Sequence, residues 1–351
     1  MGNQIDKPNT HFNPVLYTGN GATNHAITGV GFQPDFTWVK RRSGAAEHKV
    51  NDVVRGAGLE LSPDITNAEL DRTYFLSFDT DGFTVNGTVS NYNGNGDTYA
   101  SWNWKAGGTA VSNTDGSITS SVSANTDSGF SIVSYTGTGA NATVGTGLGA
   151  TPAMIIVKDR TSGTALWCVY HKSLGTNQNI YLNLTNTLDT PSPEIYRTAS
   201  MTDNVFAIGS HGRINTSSNN YIAYCFAEKK GFSKFGSYDG NGNADGTFVY
   251  TGFKPAFVIC KASSITGDWL TADIKRLPIN VMNGSLAANL NNAESYFSGN
   301  NIDFLSNGFK LRTTGGVYNS SGASYIYMAF AENPLVGSNG IPTTARWLHL
   351  F

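Results

Sequence analysis

Hydrophobic and polar positions alternate along this chain in short runs that glycine and asparagine interrupt. Val15 and Tyr17 occupy alternate positions of one run, and Phe36-Thr-Trp-Val-Lys40 has the apolar density of a strand buried on at least one face. Turn signals such as Asp79-Thr-Asp-Gly82 follow these runs, since Asn, Asp and Gly tolerate the positive φ of tight hairpins. The only helical pattern, residues 62–70, is one or two turns long. The chain is therefore predicted to be all-β.

One pattern occurs three times. A Tyr-x-Gly-x-Gly element precedes a proline by 17 residues, and a lysine follows the proline after six more. The three sets are Tyr17, Pro34 and Lys40, then Tyr135, Pro152 and Lys158, then Tyr238, Pro255 and Lys261. The glycines indicate a turn, because a phosphate-binding loop would lead into a helix and these lead into strand patterns.

Further positions recur at matching distances after each lysine. They are a ring residue (His48, Trp167, Trp269), a polar residue (Asp52, His171, Asp273), Asn-Ala-Glu at 67–69 and 292–294 with Thr-Asn-Thr at 185–187, an aromatic residue (Phe83, Phe206, Phe309), and closing runs from Tyr99, Tyr221 and Tyr325. Repetition at a fixed period indicates tandem copies of one structural unit.

The fold prediction is three tandem pseudo-repeats, each a jelly-roll-like β-sandwich. The predicted divisions are an N-terminal arm at 1–11, repeats at 12–105, 129–231 and 232–332, a Gly/Ser/Thr-rich linker at 106–128, and an extended tail at 333–351. Alternation across Ile118 to Val122 adds at most one edge strand to the linker. The arm suits a subunit contact, and the tail ends in an apolar run that we expect to be buried against this chain or a neighbour.

Charge and composition narrow the function classes. Charged residues are 14% of the chain and the net charge is −2, with scattered Lys and Arg, which argues against nucleic-acid binding and against an anionic-membrane patch. Aromatic residues at 12% argue against disorder. The opening residues lack the apolar core of a secretory signal, and no 18 apolar residues run together, so we expect a soluble product made in a cytoplasm, without membrane insertion.

No residue pattern points to a metal or cofactor. Asp79 and Asp81 begin like a calcium loop but lack the completing Glu, which favours a turn over a metal site and leaves metal binding as the alternative. Cys168, Cys225 and Cys260 form no Cys-x-x-Cys pair; Cys225 and Cys260 lie in apolar patterns, where a buried free thiol is favoured over a ligand or disulfide. No cofactor is expected.

Catalytic interpretations are weak. Paired carboxylates of a glycosidase would have to come from Glu60, Asp64 and Glu69, or from Glu194 and Asp203, which the sequence does not bring together. His48, His171 and His211 have Ser and Asp neighbours, but the chain lacks a Gly-x-Ser-x-Gly elbow. We therefore predict no enzyme activity and assign no catalytic residue.

The tryptophans allow two interpretations, core packing or sugar-stacking platforms. They are Trp38, Trp102, Trp104, Trp167, Trp269 and Trp347. Trp102 and Trp104 share one strand face, which is then either buried or an exposed aromatic surface. Core packing is favoured for those inside strand patterns, and no ligand-binding residue is assigned.

Several runs together resemble a known family. They are Tyr135 to Gly149, Ile155 to Lys158, Val169 to Gly175, Tyr224 to Glu228, Gly231 to Ser237, Phe304 to Arg312 and Tyr327 to Pro334. The chain is similar over nearly its whole length to three-repeat virion proteins of tailed bacteriophages, many from marine hosts, commonly labelled tail-fibre or virion structural proteins. The resemblance carries no catalytic residues.

The resemblance implies a virion component synthesised in the host bacterial cytoplasm. The leading expectation is a non-enzymatic tail-fibre or tail-associated homo-oligomer that takes part in host adsorption, with other virion proteins as partners and a surface glycan or outer-membrane protein as target. The alternative is a head-decoration or head-fibre protein that stabilises the capsid, with three repeats imitating a trimer. A glycan-degrading tailspike enzyme is a third hypothesis and needs an acidic cleft.

Overall fold

The computed structural model describes residues 5, 7–87, 89–296 and 299–334. Its secondary structure is 42% strand and 4% helix, which confirms the all-β prediction. The helical residues form two short α-helices, α1 (Gly212–Asn215) and α2 (Gly316–Asn319), and two 3-10 turns at Pro8–Thr10 and Thr198–Ser200.

Three large antiparallel sheets form the frame. The first has the order β1 (Phe12–Thr18), β9 (Thr98–Trp104), β3 (Phe36–Arg41), β4 (Lys49–Asp52). The second has the order β10 (Val111–Asn113), β11 (Ser120–Asn125), β12 (Phe130–Thr136), β18 (Asn220–Phe226), β14 (Met154–Asp159), β15 (Cys168–His171), β16 (Ile180–Tyr181). The third has the order β19 (Ser233–Asp239), β27 (Ser324–Pro334), β21 (Phe253–Ala262), β22 (Trp269–Asp273), β23 (Gly284–Ala287), β24 (Ser295–Tyr296). The four strands β1-β9-β3-β4 of the first sheet correspond in order to β12-β18-β14-β15 and β19-β27-β21-β22.

A small sheet accompanies each large one. The first small sheet is β2 (His25–Thr28), β8 (Gly82–Val85) and β7 (Phe75–Asp79); the second is β13 (Ala142–Gly145) and β17 (Val205–Ile208); the third is β20 (Phe248–Tyr250), β26 (Gly308–Leu311) and β25 (Ile302–Leu305). A two-residue pair, β5 (Leu59–Glu60) and β6 (Leu70–Asp71), completes the strands.

The inner faces of the three large sheets share one core. Phe36 of the first sheet lies 4.4 Å from Tyr224 of the second, measured between ring centroids. Phe330 of the third sheet lies 6.1 Å from Phe226 of the second and 4.9 Å from Phe12 of the first. Each pair of large sheets is thus in direct aromatic contact, and the three sheets enclose a common centre rather than three separate interiors.

The outer face of each large sheet packs on its small sheet. The outer cores are centred on Tyr99 with Phe83, Tyr221 with Phe206, and Tyr325 with Phe309. In each, two tyrosines from neighbouring strands stack, with ring centroids 4.9 Å apart for Tyr17 and Tyr99, 5.1 Å for Tyr135 and Tyr221, and 4.9 Å for Tyr238 and Tyr325. The tyrosine of each Tyr-x-Gly-x-Gly element therefore serves the outer core: Tyr135 and Tyr238 are buried in it, and Tyr17 is partly buried and packs against it.

Segments predicted as irregular take part in these sheets. Residues 106–128, predicted as a linker with at most one edge strand, contribute both β10 and β11 to the second large sheet. Residues 62–70, the predicted short helix, form a turn at 63–65, an irregular stretch at 66–69 and the start of β6 at Leu70, because their backbone bonds elsewhere: Glu69 N–H donates to Arg160 O (2.9 Å). In the predicted arm, Ile5 is buried in the central core. In the predicted tail, Asn333 and Pro334 end β27, and residues 335–351 lie outside the described residues.

Candidate functional site

The three repeated lysines cross the junctions between large sheets. Lys158 of the second sheet donates from Nζ to Thr66 O (2.7 Å), beside the first sheet. Lys40 of the first donates to Asn291 O (3.0 Å), and Lys261 of the third to Thr185 O (3.2 Å). Burial lowers the pKa of each lysine to about 8. The three lysines therefore link the second large sheet to the first, the first to the third, and the third to the second.

The repeated ring residues, Trp167, Trp269 and His48, link the same pairs of large sheets by hydrogen bonds. Trp167 Nε1 donates to Ser62 O (3.0 Å), and Trp269 Nε1 donates to Tyr181 O (2.8 Å). His48 Nδ1 accepts from Trp38 Nε1 (2.9 Å), so its Nε2 carries the proton and donates to Ala287 O (3.0 Å). Burial holds the pKa of His48 well below its ordinary value, and the imidazole is neutral. The histidine is a structural donor.

A buried ionic network fills the junction between the first and second sheets. Arg55 and Asp52 are fully buried and bonded, Nε to Oδ2 at 2.5 Å. Asp52 Oδ2 also accepts from Tyr224 OH of the second sheet (2.8 Å). Glu69 accepts from Arg55 Nη1 (3.1 Å) and from Arg160 of the second sheet. Every charge in this network has an opposite partner, as burial of charge requires.

The junction between the third and first sheets repeats the network. Arg276 and Asp273 are fully buried, with Nε to Oδ2 at 2.5 Å. Asp273 Oδ2 accepts from Trp102 Nε1 of the first sheet (3.1 Å). Glu294 accepts from Arg276 Nη1 (2.7 Å) and from Arg42 Nε (2.7 Å).

The junction between the second and third sheets lacks these ionic groups in the described chain. The matching positions hold His171, Leu174, Leu188, Ser263 and Met328. His171 Nε2 lies 3.1 Å from Tyr327 O, and Leu188 N–H donates to Ser263 O (3.1 Å) as Glu69 N–H does to Arg160 O. This backbone bond places Leu188, and not Thr187, at the position of Glu69, one residue from the alignment that the sequence suggested. All five positions that hold ionic or polar side chains at the junction between the first and second sheets therefore hold a different residue at this junction.

The candidate metal carboxylates serve turns and strands. Asp81 accepts from Gly29 N–H (3.0 Å) and Gly31 N–H (2.6 Å), and these bonds lower its pKa. Asp79 accepts from Ser77 Oγ and Thr84 Oγ1, both at 2.7 Å. Within the described ranges no three His, Cys, Asp or Glu side chains assemble as a ligand set.

Most of the candidate catalytic carboxylates bond to other groups of the protein. Glu69 belongs to the ionic network, Glu60 accepts from Lys49 Nζ (3.1 Å), and Asp64 Oδ1 accepts from His48 N–H (3.2 Å). Asp203 accepts from Thr151 N–H (3.0 Å), while Glu194 is exposed.

The candidate histidines are also held by structural bonds. His211 caps α1 by accepting from Arg213 N–H (3.1 Å). His171 Nδ1 accepts from Ser173 N–H (3.1 Å), and burial lowers the pKa of His171 to about 4. His48, His171 and His211 therefore each accept a hydrogen bond from another group of the protein.

The tryptophans and cysteines are core residues. The described tryptophans, all but Trp347, are almost fully buried, which resolves the Trp102 and Trp104 face as interior. Trp347 lies outside the described residues. The three cysteines are buried and free, and burial raises the pKa of Cys168 and Cys260 to about 12 each.

A recess of about 460 Å³ lies where β9 leads into residues 106–108. Asp35 at its wall accepts from Ala106 N–H (2.7 Å) and Gly108 N–H (3.2 Å), so its carboxylate is occupied by backbone. Its lining contains no aromatic side chain.

An exposed aromatic face lies on the third small sheet. Phe248 and Tyr250 stand on the same side of β20 and are 43% and 58% exposed. Pairing registers show which residues occupy these two positions elsewhere: Ala26 and Thr28 on β2, and Thr143 and Gly145 on β13. We define the aromatic face as Phe248, Tyr250 and the neighbouring Asp245, Asp303, Gly308, Lys310 and Arg312. Sequence reasoning missed it, although Phe-Val-Tyr at 248–250 against Ala-Ile-Thr at 26–28 was the available signal.

The aromatic face carries balanced charges. Lys310 lies opposite both Phe248 and Asp303 in the sheet register. Asp245 pairs with Lys310 Nζ (2.7 Å) and Arg312 Nη1 (3.3 Å), and Arg312 Nε lies 3.2 Å from Asp303 Oδ2. Two cations thus face two carboxylates along one side of the aromatic rings.

The helices of the described chain span four residues or fewer, so none has the length of a membrane-crossing helix.

Comparisons with known proteins assign a family. A search of curated proteins finds no match. The sequence model of one family, described as "Domain of unknown function (DUF7483)", matches residues 7–334, and the chain belongs to this family.

Proposed function

We propose that the chain consists of three repeats of one β-sandwich unit, each built from a large and a small sheet in jelly-roll-like fashion, arranged in a closed ring. The support is the recurrence at three places of the same lysine and ring-residue bonds, each joining one large sheet to its neighbour, and of the same stacked tyrosine pair within each outer core. A ring in which every unit contacts both others is held rigid by its core and its junctions.

We propose further that the protein is a non-catalytic component of a tailed bacteriophage virion, a tail-fibre or tail-associated protein that takes part in host adsorption. One observation supports a binding role most directly: the third small sheet exposes Phe248 and Tyr250, whereas matching positions on the other two small sheets hold small residues. Large aromatic side chains exposed together commonly mark an interaction surface.

A head-decoration protein is the second candidate, and the ring arrangement favours it. Three similar units around one axis present similar surfaces to three neighbouring capsid subunits at a local three-fold position. In this role the protein would stabilise the capsid, and the aromatic face would mark one of three otherwise similar contacts. The glycan-degrading enzyme is the weakest candidate, because Glu60, Asp64 and Glu69 bond to protein groups.

Cryo-electron microscopy of the intact virion, with this chain traced in the density, tests these proposals. Density at the tail or baseplate supports the adsorption role. Density on the head lattice supports the decoration role and overturns adsorption. A complete map of the particle without this chain overturns both.

A further inference from the structure

We propose that the aromatic face binds an uncharged saccharide chain. The inference rests on the proposed function and supplies the class of ligand for host adsorption. It starts from the contrast between the small sheets, because Phe248 and Tyr250 replace Ala26 and Thr28 at strand positions that contribute nothing to the core.

The two rings lie on one side of the third small sheet. Phe248 and Tyr250 are separated by one residue on a strand, so their side chains leave the same side of the sheet. Gly308 lies opposite Tyr250, and a Cβ built on it would lie 3.1 Å from Phe248 Cε2. The Phe248 ring therefore reaches the bare backbone beside Tyr250. Flat aromatic surfaces of this kind pack against the C–H faces of pyranose rings.

Hydrogen-bonding groups border the rings of Phe248 and Tyr250 on one side. Lys310 and Arg312 supply donors, and Asp245, whose side chain is 77% exposed, supplies acceptor oxygens. An apolar surface with a few polar groups at its edge is the usual composition of a small-ligand site. Hydroxyl groups, which both donate and accept, can bond to either kind of group without displacing the ion pairs.

The charges select against other occupants. Lys310 and Arg312 are balanced by Asp245 and Asp303, so the face has no excess charge to attract an anionic polymer or an anionic membrane. A second protein with an apolar surface would have to bury these ion pairs, at a desolvation cost. A neutral polyhydroxyl chain avoids both penalties.

Among the described residues, no strand pairs with the outer edge of β20 beside the aromatic face, whereas the counterpart strand β13 is covered. On the second small sheet, Ile118 pairs with Val144 and Ser117 N–H donates to Thr143 Oγ1 (2.9 Å), so residues 117–118 cover strand β13. Tyr250 is exposed on β20, at the edge of its sheet. A linear ligand can therefore extend across the rings and past the edge.

The test uses the purified full chain on an array of immobilised neutral and anionic oligosaccharides. We expect retention on neutral glycans. The paired variant Phe248→Ala/Tyr250→Thr, which installs the residues of β2, should weaken that retention about tenfold or more. Tyr296→Thr removes another exposed tyrosine of the third large sheet and should bind like the wild type. Tyr250→Thr alone, with a urea midpoint equal to wild type, serves if the paired variant does not fold.

Four results overturn the inference: no retention on any neutral glycan, retention only on anionic glycans, equal retention of the paired variant, or self-association that the paired variant abolishes in sedimentation. Failure of the inference is distinct from failure of the proposed function. A virion that carries the chain on its tail, with no saccharide binding by the protein, refutes only the inference. Saccharide binding by a chain absent from the virion refutes only the proposed function.

Discussion

Arg160 grips Glu69 with two parallel hydrogen bonds, Nε to Oε2 at 2.9 Å and Nη2 to Oε1 at 2.8 Å, across 91 residues of sequence and the junction of two large sheets. Glu69 Oε2 is shared with the fully buried Arg55 (3.1 Å). One carboxylate therefore compensates two guanidinium groups from different sheets, which makes it the most vulnerable point of this junction.

Glu69→Gln should lower the free energy of unfolding by about 3 kcal/mol, because Arg55 stays buried with part of its compensation removed. Urea denaturation of the full chain measures the change. Lys172→Gln, at the more exposed Lys172–Glu228 pair, is the control and should cost under about 1 kcal/mol. Equal losses for both variants would contradict the compensating role of Glu69.

The junction between the second and third large sheets, which lacks the ionic groups and is called the neutral junction below, suggests how the stability lost in Glu69→Gln can be recovered. Its five residues can replace the network as a set: Asp52→His, Arg55→Leu, Glu69→Leu, Arg160→Ser and Tyr224→Met. Replacing a whole buried ionic network by packed apolar groups is often neutral or stabilising, whereas a partial replacement strands a charge. We expect the five-residue variant to unfold within about 1.5 kcal/mol of the wild type, well above Glu69→Gln. A five-residue variant less stable than Glu69→Gln would show that the two junctions are not interchangeable.

Asp64 accepts a hydrogen bond that matches those accepted by Asn183 and Asn289 elsewhere in the chain. Trp167 N–H and Trp269 N–H donate to Asn183 Oδ1 and Asn289 Oδ1, as His48 N–H does to Asp64 Oδ1. Asn289 Nδ2 also donates to Asp268 Oδ1 (2.7 Å), whereas the buried Asp64 Oδ2 has no hydrogen-bond partner among the described residues. Burial, with the nearby Glu47 charge, raises the pKa of Asp64 to about 7 although Lys40 opposes the shift.

The raised pKa gives a signed prediction. Between about pH 4 and 7 the native state holds a proton that the unfolded state has lost, so stability falls as pH rises. Asp64→Asn removes this dependence and should be more stable than wild type by about 3 kcal/mol at pH 8, with the difference vanishing below about pH 4. Urea midpoints of both proteins across this range provide the measurement. Parallel curves for the two proteins would contradict it.

Trp102 and Trp104 provide a matched pair on one strand. Both are almost fully buried, but Trp102 Nε1 donates to Asp273 while Trp104 Nε1 finds no acceptor in the described chain. Each change to Phe removes a similar volume, and only Trp102→Phe also removes a hydrogen bond to a buried charge. Trp102→Phe should therefore be less stable than Trp104→Phe by about 2 kcal/mol in urea unfolding. The reverse order would show that indole packing outweighs the bond to Asp273.

The sequence predicted the recurring positions but not what they contact. Alternation and turns indicated the strands, and the spacing identified Lys40, Lys158 and Lys261 as equivalent. Their carbonyl partners lie as far as 251 residues away, and such pairings depend on how the three large sheets pack against one another, which local pattern does not encode. The shift from Thr187 to Leu188 likewise became visible only through a backbone bond to Ser263.

Residue type alone also misjudged which aromatic residues meet solvent. Tryptophans attracted attention as platforms, yet those described lie in the core, and the exposed rings are Phe248 and Tyr250. A short strand with aromatics at both ends has the same pattern whether that face is covered or open. Exposure depends on the neighbouring segment, which covers β13 through Ile118 and leaves Tyr250 accessible.

The three buried thiols report whether the chain unfolds as one cooperative body. Cys168 and Cys225 lie in the second large sheet and Cys260 in the third, and the central core joins these sheets through Phe226 and Phe330. Separate domains would lose protection independently, whereas a shared core requires the sheets to open together. We expect no labelling by a thiol reagent in the native state and one common urea midpoint for all three cysteines, resolved by peptide mass spectrometry. Labelling of Cys260 at a lower urea concentration than Cys168 and Cys225 would contradict a single cooperative body, and would place the weakest contact at the neutral junction between the second and third sheets.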